Sequence, residues 1–81
     1  MRRFTLSELR RYDGKEGRPA YVAFQGKVYD VSSSFLWRGG RHQAMHNAGE
    51  DLTEALRSAP HGPELLTRFP VVGELVPEET A

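Results

Sequence analysis

Apolar and polar positions alternate along this chain in short runs that glycine, proline and capping residues punctuate. Thr5-Leu6-Ser7-Glu8 is a capping box, in which the threonine hydroxyl and the glutamate carboxylate satisfy free amides at a helix start. Phe4 and Leu9 stand at the staple positions around it, so the pattern predicts a short opening helix that stops near Asp13-Gly14. Lys15 to Arg18 then form an exposed loop. Ala20 to Phe24 and Lys27 to Val31 are rich in Tyr, Val and Phe and flank Gln25-Gly26, which predicts a hairpin closed by a tight turn at positive φ.

Beyond the hairpin the punctuation becomes denser. Ser32 to Ser34 are suited to cap a single helical turn carrying Phe35, Leu36 and Trp37, and Gly39-Gly40 breaks the chain after it. Arg41 to Ala48 suits a short helix ended by Gly49, and Asp51-Leu52-Thr53-Glu54 is a second capping box that opens a helix to about Ser58. Pro63 is placed as the first residue of a further helix through Phe69, which Pro70 stops. Val71 to Leu75 is β-branched and bounded by prolines, which predicts a strand pairing with the hairpin, and Pro77 to Ala81 is expected to fray. The architecture expected is α+β, one domain over 1–81 with a core over 4–75 and a tail over 76–81: a small sheet at one end, short helices at the other.

Helices of two turns or less, joined by glycine and proline, make a poor bundle, because each offers only one or two apolar residues to a core. They suit walls around a ligand. The candidate lining residues are Phe35, Leu36, Trp37, Ala44, Leu52, Leu56, Leu65, Leu66 and Phe69, although the same residues are equally suited to packing on one another.

Charge and composition narrow the choice of ligand. Eleven basic residues balance eleven acidic ones, so no global field exists to hold nucleic acid. The absence of cysteine removes disulfides, thiolate metal sites, iron–sulfur clusters and covalently attached haem together. No apolar stretch approaches the roughly 20 residues that span a bilayer, and a cytoplasmic monomer is expected. At 81 residues a single core is only marginally stable, so a bound cofactor would contribute to the fold.

All three histidines, His42, His46 and His61, fall in the helical half. On a helix His42 and His46 would share a face and chelate zinc with His61, but Gln43 stands where the metalloprotease pattern needs glutamate. A methionine ligand at Met45 is a further alternative, against the commoner role of a helical methionine as core filler. No Gly-x-Ser-x-Gly elbow and no phosphate loop is present, so no enzyme signature appears.

Several stretches together resemble a known family: Phe4-Thr5-Leu6-Ser7-Glu8-Leu9, Tyr21-Val22-Ala23, Gly26-Lys27-Val28-Tyr29-Asp30-Val31, Ala48-Gly49-Glu50-Asp51-Leu52-Thr53, Pro60-His61-Gly62 and Pro70-Val71-Val72-Gly73-Glu74-Leu75. They are similar to the cytochrome b5-like haem/steroid-binding domains, from Phe4 to Leu75. In that family one haem ligand stands ten residues beyond the aspartate of the Ala-Gly-x-Asp element, which corresponds here to His61 after Asp51. The other family ligand lies in a His-Pro-Gly-Gly turn, whereas this chain has Trp37-Arg38-Gly39-Gly40 and lacks that histidine. The chain instead resembles a prokaryotic branch with a Trp-x-x-Gly-x-His element, which makes His42 the expected second ligand and His46 the alternative.

The resemblance therefore implies a cytochrome b5-like fold in which a small sheet and short helices form a haem pocket. It implies one non-covalent haem b between two imidazoles and electron transfer to a redox partner protein, with Arg38, Arg41 and Arg57 as candidates for the propionates. Steroid-binding relatives use a tyrosine where this chain, after Tyr29, has none. The alternative is a small-molecule, steroid or haem-carrying module of the same fold without a redox role.

Overall fold

The computed structural model describes residues 2–33, 41–42, 46–57 and 63–78, with the backbone alone for 41–42, 46–47 and 63–65. Along the chain run β1 (Arg2–Phe4), α1 (Leu6–Leu9), β2 (Tyr21–Phe24), β3 (Lys27–Asp30), β4 (Arg41–His42), β5 (His46–Asn47), α2 (Thr53–Arg57), a 3₁₀ helix (Pro63–Arg68) and β6 (Val71–Leu75). A four-stranded sheet has the order β1-β6-β3-β2, and β4 and β5 form a separate two-stranded ladder.

The hairpin forms where its sequence predicts. β2 and β3 pair antiparallel from Tyr21↔Asp30 to Phe24↔Lys27, and Gln25 and Gly26 take φ of 49° and 81°. Two central residues at positive φ give the turn a twist that matches the strands it joins. Ser32, expected at a helix start, instead closes the base of the hairpin: its Oγ accepts from the Ala20 amide at 2.8 Å. The helical turn expected at Phe35 to Trp37 lies outside the described residues.

β6 is the strand expected from Val71 to Leu75, and it lies inside the sheet, antiparallel to β3 and parallel to β1. Its register against β3 shifts between Val28↔Gly73 and Tyr29↔Val71, leaving Val72 as the extra residue of a bulge. β1 has no counterpart in the sequence expectations. Three residues, two of them arginine, carry no periodicity, and the strand exists because β6 offers it a ladder from Arg2↔Gly73 to Phe4↔Leu75. Gly73 makes the approach possible, since a Cβ there would overlap the Arg2 carbonyl oxygen and stand 2.7 Å from Phe4 Cε2.

α1 opens on the expected box. Glu8 N–H donates to Thr5 Oγ1 at 3.2 Å and Thr5 N–H to Glu8 Oε1 at 3.1 Å. The helix ends at Leu9, earlier than Asp13-Gly14, because Arg11 and Tyr12 donate back to Glu8 and Leu9 in tighter three-residue turns. The tail, expected to fray from Pro77, is held as far as Glu78. Val76 N–H donates to the Phe4 carbonyl at 2.8 Å, and Glu78 Oε1 accepts from the Ser7 amide at 2.7 Å, satisfying another free donor of α1. That hydrogen bonding to Ser7 holds the Glu78 carboxyl below its ordinary value of 4.5.

Side chains alternate across the sheet into two cores. Ala23 and Val28 join Phe4 and Leu9 on one face, with Tyr12, Tyr21, Val72 and Leu75 around them. Val22 and Phe24 point to the other face and join Ala20, Val31, Ala48, Leu52, Leu56 and Leu66. Each fully buried Leu or Phe stabilises the fold by about 1.5–3 kcal/mol relative to leaving it in water.

Candidate functional site

The second core is the floor of the candidate site, and the segment 48–52 delivers it. That segment lies along the outer edge of β2: Gly49 N–H donates to the Tyr21 carbonyl at 2.7 Å, Ala23 N–H to Glu50 at 3.0 Å, and Leu52 N–H to Ala23 at 2.8 Å. Gly49 takes φ of 86°, where an L side chain is strained, and a Cβ there would also crowd the Arg10 carbonyl oxygen at 3.2 Å, so both features favour glycine. The chain then turns into α2. Asp51 Oδ1 accepts from Thr53 N–H at 3.1 Å and from its hydroxyl at 2.6 Å, while Thr53 Oγ1 accepts from Gln25 N–H at 2.8 Å. One aspartate and one threonine thus start the helix and anchor it to the hairpin turn.

Leu52 and Leu56 are spaced one helical turn apart, and both are buried against the sheet. The 3₁₀ helix begins at Pro63 as expected and adds Leu66, and Phe69, whose N–H donates to the Leu66 carbonyl at 2.9 Å, packs against the same cluster. Four of the expected lining residues, Leu52, Leu56, Leu66 and Phe69, therefore meet on one sheet face. Phe35, Leu36, Trp37 and Ala44, and the side chain of Leu65, lie outside the described residues.

The backbone around two of the histidines differs from the expected helix over 41–48. Arg41–His42 and His46–Asn47 pair antiparallel, with Arg41 opposite Asn47 and His42 opposite His46. Two turns of helix carry the full cost of nucleation, and no Ser, Thr, Asp or Asn precedes Arg41 to cap one. The two histidines are thus related by a strand register rather than by a helix face. β5 runs directly into Ala48, a member of the apolar cluster. His61 lies outside the described residues, as do Met45 and the side chains of His42 and His46.

Among the described residues, no charged side chain belongs to the apolar floor, and Arg38 and the side chain of Arg41 lie outside them. Arg57 pairs with Glu54 at 3.3 Å along α2. Asp13 takes both arms of Arg18, at 3.0 and 3.1 Å, and the Lys15 amide, which hold its carboxyl below the ordinary value of 3.8. A cleft of about 510 Å³ lies between α1 and the segment 48–51, lined by Leu6, Arg10, Lys15, Ala48, Gly49, Glu50 and Asp51. Of the expected lining residues that are described, Leu52, Leu56, Leu66 and Phe69, none lines it. Among the described residues no helix is long and apolar enough to cross a membrane.

Residues 5–76 match the model of the cytochrome b5-like haem/steroid binding domain. The chain belongs to this family. Two solved archaeal structures are similar to it over 94% of its length. A Hadesarchaea cytochrome b5 domain protein is 63% identical, with a TM-score of 0.91 and 100% of that chain covered. A Methanococcoides burtonii cytochrome b5 domain protein is 51% identical, with a TM-score of 0.90 and 99% of that chain covered. The probable steroid-binding protein 3 of Arabidopsis thaliana is 41% identical over 56 residues, which make up 65% of this chain and 54% of that protein. The chain thus spans about half the length of this curated relative. The cytochrome b5-like fold and the likeness to prokaryotic members are as the sequence resemblance implied.

Within this cytochrome b5-like domain, sequence reasoning missed the edge-covering role of Ala48 to Asp51. The residues were visible as a family landmark, but nothing local in them says that they complete the β2 edge. It also missed Ala20, Val22, Phe24, Val31 and Ala48 as floor residues. The alternation in the hairpin assigns Val22 and Phe24 to one face, and this was the signal available for them.

Proposed function

We propose that this cytochrome b5-like domain holds one non-covalent haem b between His61 and His42 and passes single electrons to a redox partner protein, without catalysing a reaction of its own. What carries the reading is the gathering of Leu52, Leu56, Leu66 and Phe69 on one sheet face, entered directly from the strand that bears His46, in a member of a haem/steroid-binding family. An apolar floor suits a porphyrin face, and imidazole is the fitting iron donor in a chain without cysteine. Bound haem supplies a one-electron ferric/ferrous couple.

The chain's own residues do the rest. The leucines exclude water from the ring and lower the local dielectric. With His61 and His42 both holding the iron, the chain would favour outer-sphere electron transfer over oxygen chemistry. A metal-ligating imidazole usually donates its second N–H to a backbone carbonyl or carboxylate, and such a bond would fix the tautomer and tune the iron.

The test is the visible spectrum of haem-reconstituted protein, oxidised and dithionite-reduced, with His61→Ala beside it. A low-spin six-coordinate spectrum, reversible on reoxidation and lost in His61→Ala, supports the electron carrier. A second reading rests on the likeness to the probable steroid-binding protein 3 of Arabidopsis thaliana: a binding module without a redox role. Absence of haem uptake together with saturable quenching of the single tryptophan, Trp37, by a steroid would favour that reading.

A further inference from the structure

The cleft beside α1 is lined by charges of both signs and takes no part in the proposed haem site. Leu6, Arg10 and Lys15 line it from α1 and the loop that follows, and Ala48, Glu50 and Asp51 from the strip along β2. We propose that it binds a small zwitterion of the ω-amino carboxylate class, its carboxylate toward Arg10 and Lys15, its ammonium toward Glu50 and Asp51, and its apolar spacer over Leu6 and Ala48. The inference is independent of the haem reading.

Backbone contacts set the spacing of the two walls. The strip is hydrogen-bonded to β2 at Gly49, Glu50 and Leu52, and a Cβ at Gly49 would stand 3.2 Å from the Arg10 carbonyl oxygen, so strip and helix end already touch there. Moving the strip away would break its bonds to β2. The charges on the two walls do not meet: among the described residues, no hydrogen bond or ion pair joins the side chain of Arg10 or Lys15 to that of Glu50 or Asp51. Asp51 gives Oδ1 to Thr53, and Arg10 acts on Glu78 only through space. Two basic and two acidic residues cancel, so a ligand with one charge gains at one wall and is repelled at the other, whereas a zwitterion gains at both. An α-amino acid, with both charges on one carbon, is too short to bridge walls whose own charges do not reach each other. A methylene spacer supplies the length and finds apolar contact at Leu6, half-buried, and Ala48, buried. The volume of about 510 Å³ falls in the range of small-molecule sites. Arg10, Lys15 and Glu50 are exposed, so each ionic contact is weak and a Kd of about 0.1–1 mM is expected.

The experiment titrates ε-aminocaproate into the isotope-labelled full chain at low ionic strength and follows the backbone amides of Leu6, Arg10, Gly49 and Glu50 by NMR, with caproate and hexylamine as controls that carry one charge each. Saturable shifts are expected for the zwitterion, with both controls about tenfold weaker and the shifts reduced by added salt. Arg10→Gln/Lys15→Gln and Glu50→Gln are each expected to weaken binding about three- to tenfold. The controls are read on the parent protein, so the test does not depend on the folding of the variants. Absence of saturable shifts up to about 10 mM, controls that bind as tightly as the zwitterion, or variants that bind as the parent does would overturn the proposal. So would a coupling between Arg10→Gln and Glu50→Gln in the urea denaturation of the ligand-free chain, because the walls would then be paired with each other.

Discussion

Replacing Gly73 by alanine tests the contact on which the β1–β6 pairing depends. The new methyl would overlap the Arg2 carbonyl oxygen and lie 2.7 and 3.0 Å from Phe4 Cε2 and Cδ2. Neither neighbour retreats easily. The oxygen belongs to a strand in register with β6, and the Phe4 ring is 1% exposed, edge-on to the stacked pair Tyr12 and Tyr21 at centroid distances of 5.6 and 5.7 Å. Overpacking of this kind costs about 1–3 kcal/mol, offset by roughly 0.5–1 kcal/mol from the reduced freedom of the unfolded chain. At the middle of both ranges the net loss is about 1 kcal/mol, a sizeable part of a stability that runs to roughly 0.05–0.15 kcal/mol per residue. Urea denaturation followed by circular dichroism, at a fixed state of haem loading, measures it, and the melting temperature should fall by about 4–8 °C per kcal/mol. A cycle with Phe4→Ala separates the two contacts: the cost of Gly73→Ala should shrink when the ring is gone, yet not vanish, because the Arg2 oxygen remains. A Gly73→Ala protein as stable as the parent, in either background, would refute the close approach of β1.

Acid should loosen two exposed ties in a defined direction. The Glu78 and Asp13 carboxyls are held below their ordinary values of 4.5 and 3.8, so their stabilisation is complete above those values and is lost as pH falls through the lower values of the folded state. Glu78→Gln and Arg18→Ala should each flatten the acid limb of a stability-versus-pH curve, and an unchanged limb in both would show that these contacts are not formed in solution. On the apolar floor, Leu56 is 6% exposed, and Leu56→Ala should cost about 2–5 kcal/mol in urea denaturation. The same variant should lose haem faster to an apomyoglobin acceptor than the parent does; an equal rate would place the haem face elsewhere.

The parts of the fold legible in the sequence are those fixed by neighbours in the chain. The Thr5/Glu8 box and the Gln25-Gly26 turn announce themselves because each is a local hydrogen-bonding or backbone requirement met by adjacent residues. Val71 to Leu75 was legible as a strand from its β-branched residues, but its position inside the sheet depends on β1, whose three residues acquire a conformation only from a partner distant in sequence. The 41–48 segment misled for the opposite reason: its apolar and basic spacing suits a helix face, while the missing cap and the cost of a two-turn helix leave a short ladder the better solution. The helix expected from Pro63 through Phe69 begins at Pro63, ends one residue earlier at Arg68 and winds as a 3₁₀ helix, the tighter form that short helical pieces adopt. In the candidate site, apolarity alone picked out Leu52, Leu56, Leu66 and Phe69, whereas the floor contributed by the sheet required knowing which face of the hairpin the helices cover.

The parallel pairing of β1 with β6 also bears on how the chain reaches this fold. Arg2 meets Gly73 only after nearly the whole described chain has been brought back on itself, whereas the β2–β3 hairpin closes across two residues. Loop-closure entropy makes the hairpin an early event and the docking of β1 a late one. Contacts made after the transition state govern unfolding more than folding, so β1, with the Val76 and Glu78 ties that follow β6, is expected to act as a latch whose release sets the lifetime of the native state.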